Sequence, residues 1–483
     1  MIIIGGGIAG LSAGCYAQMN GFQTRVFETH DIPGGLCTAW KRTGYTFGNC
    51  IHWLCESSHE SSLNQVWREI GIVRGRQFVH DDIFIEARNA QGEKFTVYAD
   101  PEKLRKEMLR LAPEDEEVIG QIIKDVRKFM RLKVPLDVGL SNIISALSFV
   151  RAFKKYSMPA RELSSRFSNQ TMRELFDLAF TWHDQMTAFL LYLLGRAGSG
   201  DAGYPLGGSL PIAFALEQRY ISLGGEVRYK TRVSKVLVEN DRAVGVRFAD
   251  GSEQRADIVL SAADGHATIF EMLDGKYLDD KMKELYQNLK PFPPVVHISF
   301  GVKGDFSALP HCLRIKPKES LQMGGRRLST LVVRNYSDDP NMAPVGSTVF
   351  TVSLESDWEY WAKLADDEEG YRKEKEDIKK QVLEALDFFV PGFSSAVVLF
   401  DVATPVTYNR YTGNWKGSYQ GWQWTKESFL LNIPQTLPGL QGFYMAGHWT
   451  IPGGGLPGAA ISARSAIKLI CKHEKKRFTS NEP

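Results

Sequence analysis

The residues with the most legible chemistry stand at the amino end. Gly5-Gly6-Gly7-Ile8-Ala9-Gly10 follows the apolar run Ile2-Ile3-Ile4 and opens a helix-like segment that reaches about Met19. A G-x-G-x-x-G turn between a buried strand and a helix cradles a pyrophosphate. Gly5 permits the tight turn, Gly7 lets the backbone approach the phosphates, and Gly10 lets the helix lie close to the strand. Ile8 and Ala9 begin the helix, whose exposed N–H groups and positive dipole end favour an anion. A second strand, Thr24 to Phe27, leads into Glu28-Thr29, and Glu28 lies 23 residues after Gly5. A carboxylate there accepts hydrogen bonds from the ribose hydroxyls of a dinucleotide.

Two histidine–tryptophan pairs, His52-Trp53 and His448-Trp449, carry the other candidate chemistry. Imidazole titrates near neutrality and transfers protons readily. The same residues also read as a buried imidazole satisfied by a backbone carbonyl, beside an aromatic pocket wall. Arg334, Tyr408 and Arg410 are candidates for a polar substrate head or for plain surface positions. Cys50 and Cys55 read as core residues more readily than as a redox pair.

Three further glycine clusters follow. Asp31-Ile32-Pro33-Gly34-Gly35-Leu36-Cys37 allows the backbone to pass against a flat or phosphate-bearing ligand. Tyr204-Pro205-Leu206-Gly207-Gly208-Ser209 enters a helix with Ser209 as the expected N-cap. Ala446-Gly447-His448-Trp449-Thr450-Ile451-Pro452-Gly453-Gly454-Gly455-Leu456-Pro457-Gly458-Ala459 leads into a helix expected from about Ala459 to Ile470. Its prolines stiffen the turn, and its three successive glycines remove every Cβ from one side. Two other matches mislead. Gly198 to Gly203 also fits G-x-G-x-x-G, but Tyr204-Pro205 stops any helix, so a built-in nicotinamide domain is not expected. Gly10-Leu11-Ser12-Ala13-Gly14 fits a nucleophile elbow, yet it lies inside the dinucleotide helix.

The elements that position these residues follow from composition and period. At 483 residues the chain exceeds one ordinary core, and a length near 150 residues per domain suggests about three. With 58 Lys and Arg against 56 Asp and Glu, the formal charge of +2 argues against a nucleic-acid partner. No secretory leader is expected, since the sequence opens on the first strand, and no apolar run reaches the roughly 18 to 20 residues that cross a bilayer. Six cysteines without a C-x-x-C pair point to a reduced, cytoplasmic location, and no metal is expected. Charged, helix-forming sequence runs from Pro101 to Tyr156. Short strands follow at Val227 to Tyr229, Val233 to Val238 and Ala243 to Phe248, and the turns at Asn240-Asp241 and Asp250-Gly251 predict an antiparallel meander. Strands are expected at Val295 to Val302 and Thr348 to Leu354. An amphipathic helix follows, carrying Ile378, Val382, Leu386 and Phe389 on one face and pairs such as Glu376 with Lys380. Between Lys124 and Lys155, bases surround the apolar stretch Leu140 to Val150, the make-up of a membrane-surface helix and also of an ordinary packing helix.

In this order and spacing, these clusters resemble the phytoene desaturase-type branch of FAD-dependent oxidoreductases. The matching pieces are Gly5 to Gly10 with Glu28, Gly34-Gly35, Tyr204 to Gly208, the meander from Val233 with Asp257 to Asp264, and Pro452 to Gly458. The resemblance spans the whole chain and implies FAD as cofactor, bound in a Rossmann-like α/β domain assembled from three segments. An antiparallel substrate sheet and a helical insertion complete the implied fold. The implied division gives FAD-binding segments at 1–95, 204–288 and 426–483, a helical insertion at 96–203 and a substrate sheet at 289–425. By similarity, Thr29 and Leu36 join Glu28 and Gly34-Gly35 around the cofactor. The Val233 backbone would hold adenine, the Gly458-Ala459 helix start would face the pyrimidine end of the flavin, and Ala262, Gly447, His448, Gly455, Leu456 and Pro457 would complete the cofactor site. The chain departs from the family pattern at Leu36-Cys37, where many relatives carry a base, and at Phe47-Gly48-Asn49-Cys50, where an aspartate is common.

The implied activity is oxidation, reduction or isomerisation at carbon–carbon double bonds of a long hydrophobic isoprenoid or acyl lipid. His448, His52, Trp449 and Trp53 are the expected catalytic group. Electrons would pass to or from a diffusible partner such as a quinone, oxygen or NAD(P)H. Contact with the inner face of the membrane is the expected route for a water-insoluble substrate. An FAD-dependent amine oxidase is the alternative enzyme, and a non-catalytic prenyl-binding protein on the same fold is the alternative of another class.

Overall fold

The computed structural model describes residues 1–48, 50–136, 143–180, 185–429, 431 and 433–483. Asn49 and the start of the Leu140 to Val150 stretch, residues 140–142, lie outside them. A five-stranded parallel sheet forms the first layer, in the order Glu226–Arg228, Arg25–Phe27, Ile2–Ile4, Val259–Ser261, Phe443–Met445. Its strands come from three distant stretches of chain. The helix Ile8–Met19 packs against both Ser209–Ser222 and Gly455–His473. Ile8 through Ala17 are all buried, because this helix lies between layers and has no solvent face. Glu226–Arg228 lies at the edge of this parallel sheet rather than in the meander. The meander is three-stranded, with Val233–Glu239, Arg242–Phe248 and Glu253–Arg255 antiparallel. Asn240 and Asp241 both take positive φ, 49° and 56°, which gives its first turn the twist a tight hairpin needs.

A seven-stranded sheet forms the second half. Its order is Val397–Ala403, Val295–Lys303, Ser347–Glu355, Leu331–Asn335, Cys312–Ile315, Ile83–Arg88, Lys94–Tyr98. All its pairings are antiparallel except that of Cys312–Ile315 with Ile83–Arg88, which is parallel. The hairpin 83–98, read from sequence largely with the first dinucleotide segment, therefore extends the large sheet. The helix Glu368–Phe389 seals this half with Ile378, Val382 and Leu386, all buried. Glu376 pairs with Lys379 rather than with the expected Lys380, while Glu368 and Arg372 pair at the i,i+4 spacing.

Helices Pro101–Leu111, Glu116–Met130, Ile143–Lys155, Gln170–Ala179 and Thr187–Gly198 make up the insertion. The Gly198 to Gly203 match runs from that last helix into the strand Ala202–Pro205, so it forms no phosphate turn. Among the described residues, no helix is long and apolar enough to cross a membrane.

Candidate functional site

The glycine turn at the amino end has the geometry its sequence calls for. Gly5 sits at φ 97°, and a Cβ on Gly10 would lie 1.9 Å from the Gly5 carbonyl oxygen, so helix and strand touch. Gly7 differs. Its φ is an ordinary −75°, and an added Cβ would meet nothing nearer than 3.7 Å. The fold alone does not require glycine there. The Gly34 N–H donates to the Gly6 carbonyl at 2.9 Å, and Gly7 bridges Gly34, which draws the Gly34-Gly35 turn and the half-buried Leu36 onto the cradle. Gly34 and Gly35 take φ of 112° and 60°. The Glu28 carboxylate accepts from the Gly6 N–H at 2.6 Å and the His30 N–H at 2.8 Å, so it is fixed beside the turn with lone pairs to spare. Thr29 is exposed next to it. The Thr231 N–H donates to the Glu28 carbonyl, which brings the start of the meander at Val233 to the same end.

The carboxy-terminal segment closes the other side. Ala262 donates its N–H to the Ile4 carbonyl and lies against Gly5. A Cβ on Gly447 would come within 3.7 Å of that of Ala9. The Ser462 hydroxyl accepts from the Gly447 N–H at 2.8 Å and locks the turn to the last helix. That helix begins at Gly455, four residues before the expected Ala459, so Gly455 to Gly458 form its first turn. Gly453, Gly454 and Gly455 all take positive φ, which explains their residue type. Gly458 is helical, and nothing lies nearer than 3.9 Å to a Cβ built on it. Like Gly7, it leaves room that the apoprotein does not use. Ser209 is the first helical residue rather than the cap, because Gly208 at φ 69° takes that place. Its hydroxyl accepts instead from the Ile51 N–H at 3.0 Å. Cys37, whose thiol hydrogen-bonds that of Cys50, contacts the Ser209 carbonyl.

The four expected catalytic residues do not converge. His52 and Trp53 line a cavity between the short strand Leu54–Cys55 and the large sheet, with His311, Arg314, Arg334 and Tyr204. Burial pushes the His52 imidazole well below its ordinary value, and Arg334 adds to this. His448 is half-buried, and burial brings it down to about 4, so it is neutral at pH 7. Trp449 was expected as pocket wall but is only 3% exposed. Its ring packs edge-on against Trp422 at 4.9 Å, and its carbonyl accepts from the Trp422 indole. Gly265 permits this approach, since a Cβ there would sit 2.8 Å from that of Trp449. Trp449 is therefore core. Among the described residues, no hydrogen bond or ring contact joins the two His–Trp pairs. Of the three candidates for a polar head, Arg334 lines the cavity, Tyr408 is buried elsewhere and Arg410 is exposed. Cys55 is a core thiol contacting the Tyr192 hydroxyl at 3.2 Å.

The sequence did not single out His311, Arg314 or an aromatic column. Arg314 and Arg334 occupy ordinary strand positions, and only the register of Cys312–Ile315 with Leu331–Asn335 brings their side chains into one cavity. The column starts at Phe149, which stacks on Phe153 at 4.3 Å. Phe153 packs on Trp424 at 5.1 Å, and a Cβ on Gly453 would lie 3.2 Å from the Trp424 ring. It thus runs from the helix Ile143–Lys155 to the glycine turn.

The sequence profile of the family described as flavin containing amine oxidoreductase matches residues 8–470. Chloroplastic prolycopene isomerase from Daucus carota is 26% identical over 501 residues, covering 98% of this chain and 79% of that protein. Phytoene desaturase (neurosporene-forming) from Cereibacter sphaeroides is 26% identical over 504 residues, covering 97% and 94%. Among solved structures, an oxidoreductase from Methanosarcina mazei superimposes with a TM-score of 0.60 at 18% identity, covering 97% of this chain and 99% of that one. The family match makes FAD the cofactor, and the space left open at Gly7 and Gly458 is compatible with a bound dinucleotide.

Proposed function

The chain belongs to the flavin containing amine oxidoreductase family, and on that premise we propose that it is an FAD-dependent oxidoreductase acting at carbon–carbon double bonds of a long, hydrophobic isoprenoid substrate. The carrying observation is the aromatic column from Phe149 through Phe153 and Trp424 to Gly453, which surrounds the approach to the cofactor turn with packed apolar rings. A conjugated or allylic chain suits such surroundings, whereas a short hydrophilic amine does not. When bound, the flavin supplies a two-electron hydride acceptor or donor.

Around it, the Gly5 to Gly10 turn holds the phosphates, and Glu28 takes the ribose hydroxyls. The Gly455 helix start presents its positive end to the ring. His448, neutral through burial, would accept the proton. Neutral His52 hydrogen-bonds Tyr336 at 3.3 Å on the cavity side. With no second phosphate turn among the described residues, electrons pass to or from a diffusible partner such as a quinone, oxygen or NAD(P)H.

The substrate enters from a membrane surface. Ile143, Ile144 and Leu147 are 46%, 77% and 57% exposed at one end of the helix that carries Phe149 and Phe153. Arg151, Lys154 and Lys155 on the same helix are exposed and suit anionic headgroups.

The test is to purify the protein and record its flavin spectrum, then incubate it with isoprenoid lipids extracted from cells. Mass spectrometry of the products separates the three reactions. A loss of two hydrogens marks desaturation, a gain marks saturation, and an unchanged mass with altered retention marks isomerisation. A colourless protein that cannot be reconstituted with FAD and leaves every lipid unchanged refutes the proposal.

A further inference from the structure

The cavity beside His52 is divided by chemistry. Part of its lining is apolar, with Trp53, Phe84, Leu193 and Ala197. The rest includes Arg314 and Arg334, 1% and 7% exposed, and His311, whose ring packs edge-on against Tyr336. His80 is exposed at the rim, its ring against Gly203, so the cavity opens there.

Burying two guanidinium groups is costly unless they meet negative charge. Among the described residues, no carboxylate forms an ion pair with Arg334, and its buried Nε has no hydrogen-bond partner. Its Nη1 reaches only the Cys312 sulfur, a weak acceptor. The His311 Nδ1 lies 2.8 Å from the Asn335 carbonyl and must donate to it, which leaves Nε2 also buried without a partner. The lone acid of the lining is Asp81, near the rim. A cationic end and an apolar wall within one cavity match an amphipathic anion.

We propose that this cavity binds the carboxylate head of an isoprenoid or acyl acid at Arg334 and Arg314, with the hydrocarbon chain lying along the Trp53–Phe84 wall. Arg334 is the lining cation with unmet donor capacity, while Asp81 in the lining and Asp338 and Asp339 next to it already hold negative charge. A single negative charge therefore suits the cavity better than a diphosphate. The planar guanidinium fork suits carboxylate geometry. This inference rests on the oxidoreductase reading and deepens it by naming the head group of the substrate class.

The test uses the purified holoprotein and three C20 polyisoprenoid probes sharing one chain: the carboxylic acid, the alcohol and the diphosphate. Binding is read by quenching of tryptophan fluorescence, to which Trp53 in the cavity wall contributes, and flavin content is read separately by absorbance. The acid should bind at least about tenfold more tightly than the alcohol, since a charge-assisted hydrogen bond is worth that much. R334Q should remove this preference while leaving alcohol binding and flavin content unchanged. Equal binding of acid and alcohol by the native protein, or tighter binding of the diphosphate, overturns the proposal, as does an acid preference that survives R334Q. If R334Q does not fold, R334K serves in its place: it keeps the charge but loses the fork, so the acid preference should shrink, and an undiminished preference overturns the assignment. Loss of flavin with intact acid preference would count against the oxidoreductase reading alone.

Discussion

The Nδ1 of His52 and the hydroxyl of Tyr336 stand 3.3 Å apart, joined across 284 residues of chain. Tyr336 directly follows the strand Leu331–Asn335 of the large sheet, and its hydroxyl, pushed up to about 12 mainly by burial, stays protonated. The contact fixes the imidazole at the seam where the cofactor half meets the substrate sheet. If a histidine moves the proton, H52A or H448A should lower turnover by roughly 10²- to 10⁴-fold with flavin retained. Y336F should then lower kcat through His52 alone. Steady-state kinetics on the true substrate, beside flavin absorbance, reads both; near-normal turnover in H52A and H448A assigns the proton chemistry to another group or to water.

G7V and G458V should fold and lose FAD, because the apoprotein leaves space at both positions and the cofactor does not. G10A should fail differently: its Cβ would strike the Gly5 carbonyl, so the protein itself loses stability. Circular dichroism with flavin absorbance separates the outcomes, and normal flavin in both valine variants would overturn the cofactor placement.

W449A should cost stability, about 3–5 kcal/mol, the usual loss on removing a buried large aromatic, and leave the preferred substrate chain length unchanged. Urea unfolding checks the first half and a series of chain lengths the second.

The cofactor half was legible in the sequence because its glycine clusters stand in a fixed order, and Gly5 and Gly10 among them answer local demands of turn and packing. The pair Ile378 and Val382 likewise announced its helix face through spacing alone. Trp449 was misread since sequence neighbourhood to His448 says nothing of which side of the backbone a ring takes; Gly265, far away in the chain, creates the slot that receives it. Arg314 and Arg334 were harder still, because their meeting depends on strand register between segments about 20 residues apart. The edge position of Glu226–Arg228 depends on a parallel pairing with Arg25–Phe27 that no local period encodes.

Burial of His297 brings its imidazole down to about 4. An unfolded chain takes up that proton near pH 6.5, so this residue's share of stability is intact above that value and lost as pH falls toward 4. Buried carboxyls oppose the trend in the whole protein: Asp81 and Asp201 are pushed up to about 6 and Asp264 to about 7, chiefly by burial. The difference between variant and parent isolates the histidine. The Tm of H297N minus that of the parent should therefore become more positive on going from pH 7 to pH 5, and a difference that stays flat refutes it.

I144E and L147E should reduce co-sedimentation with anionic phospholipid vesicles several-fold without changing flavin content. These side chains stand in solvent beside exposed bases, so the folded core does not depend on them. Unchanged sedimentation of the double variant removes this helix from the membrane contact.

The parallel pairing of Ile83–Arg88 with Cys312–Ile315 sets a timetable for synthesis. The hairpin that ends at Tyr98 leaves the ribosome 214 residues before Cys312 is made. At roughly 5–20 residues per second, its inner edge waits on the order of 10–40 s for its partner strand. During that interval the edge carries unpaired backbone groups from Glu86 to Arg88, an invitation to intermolecular pairing. The helices Pro101–Leu111 and Gln170–Ala179, which pack on the hairpin, are translated early in this gap. They shield one face of the nascent hairpin but not its edge. Heavy demand for a holding chaperone, concentrated in the window between those helices and residue 312, is the consequence for producing this protein in any host.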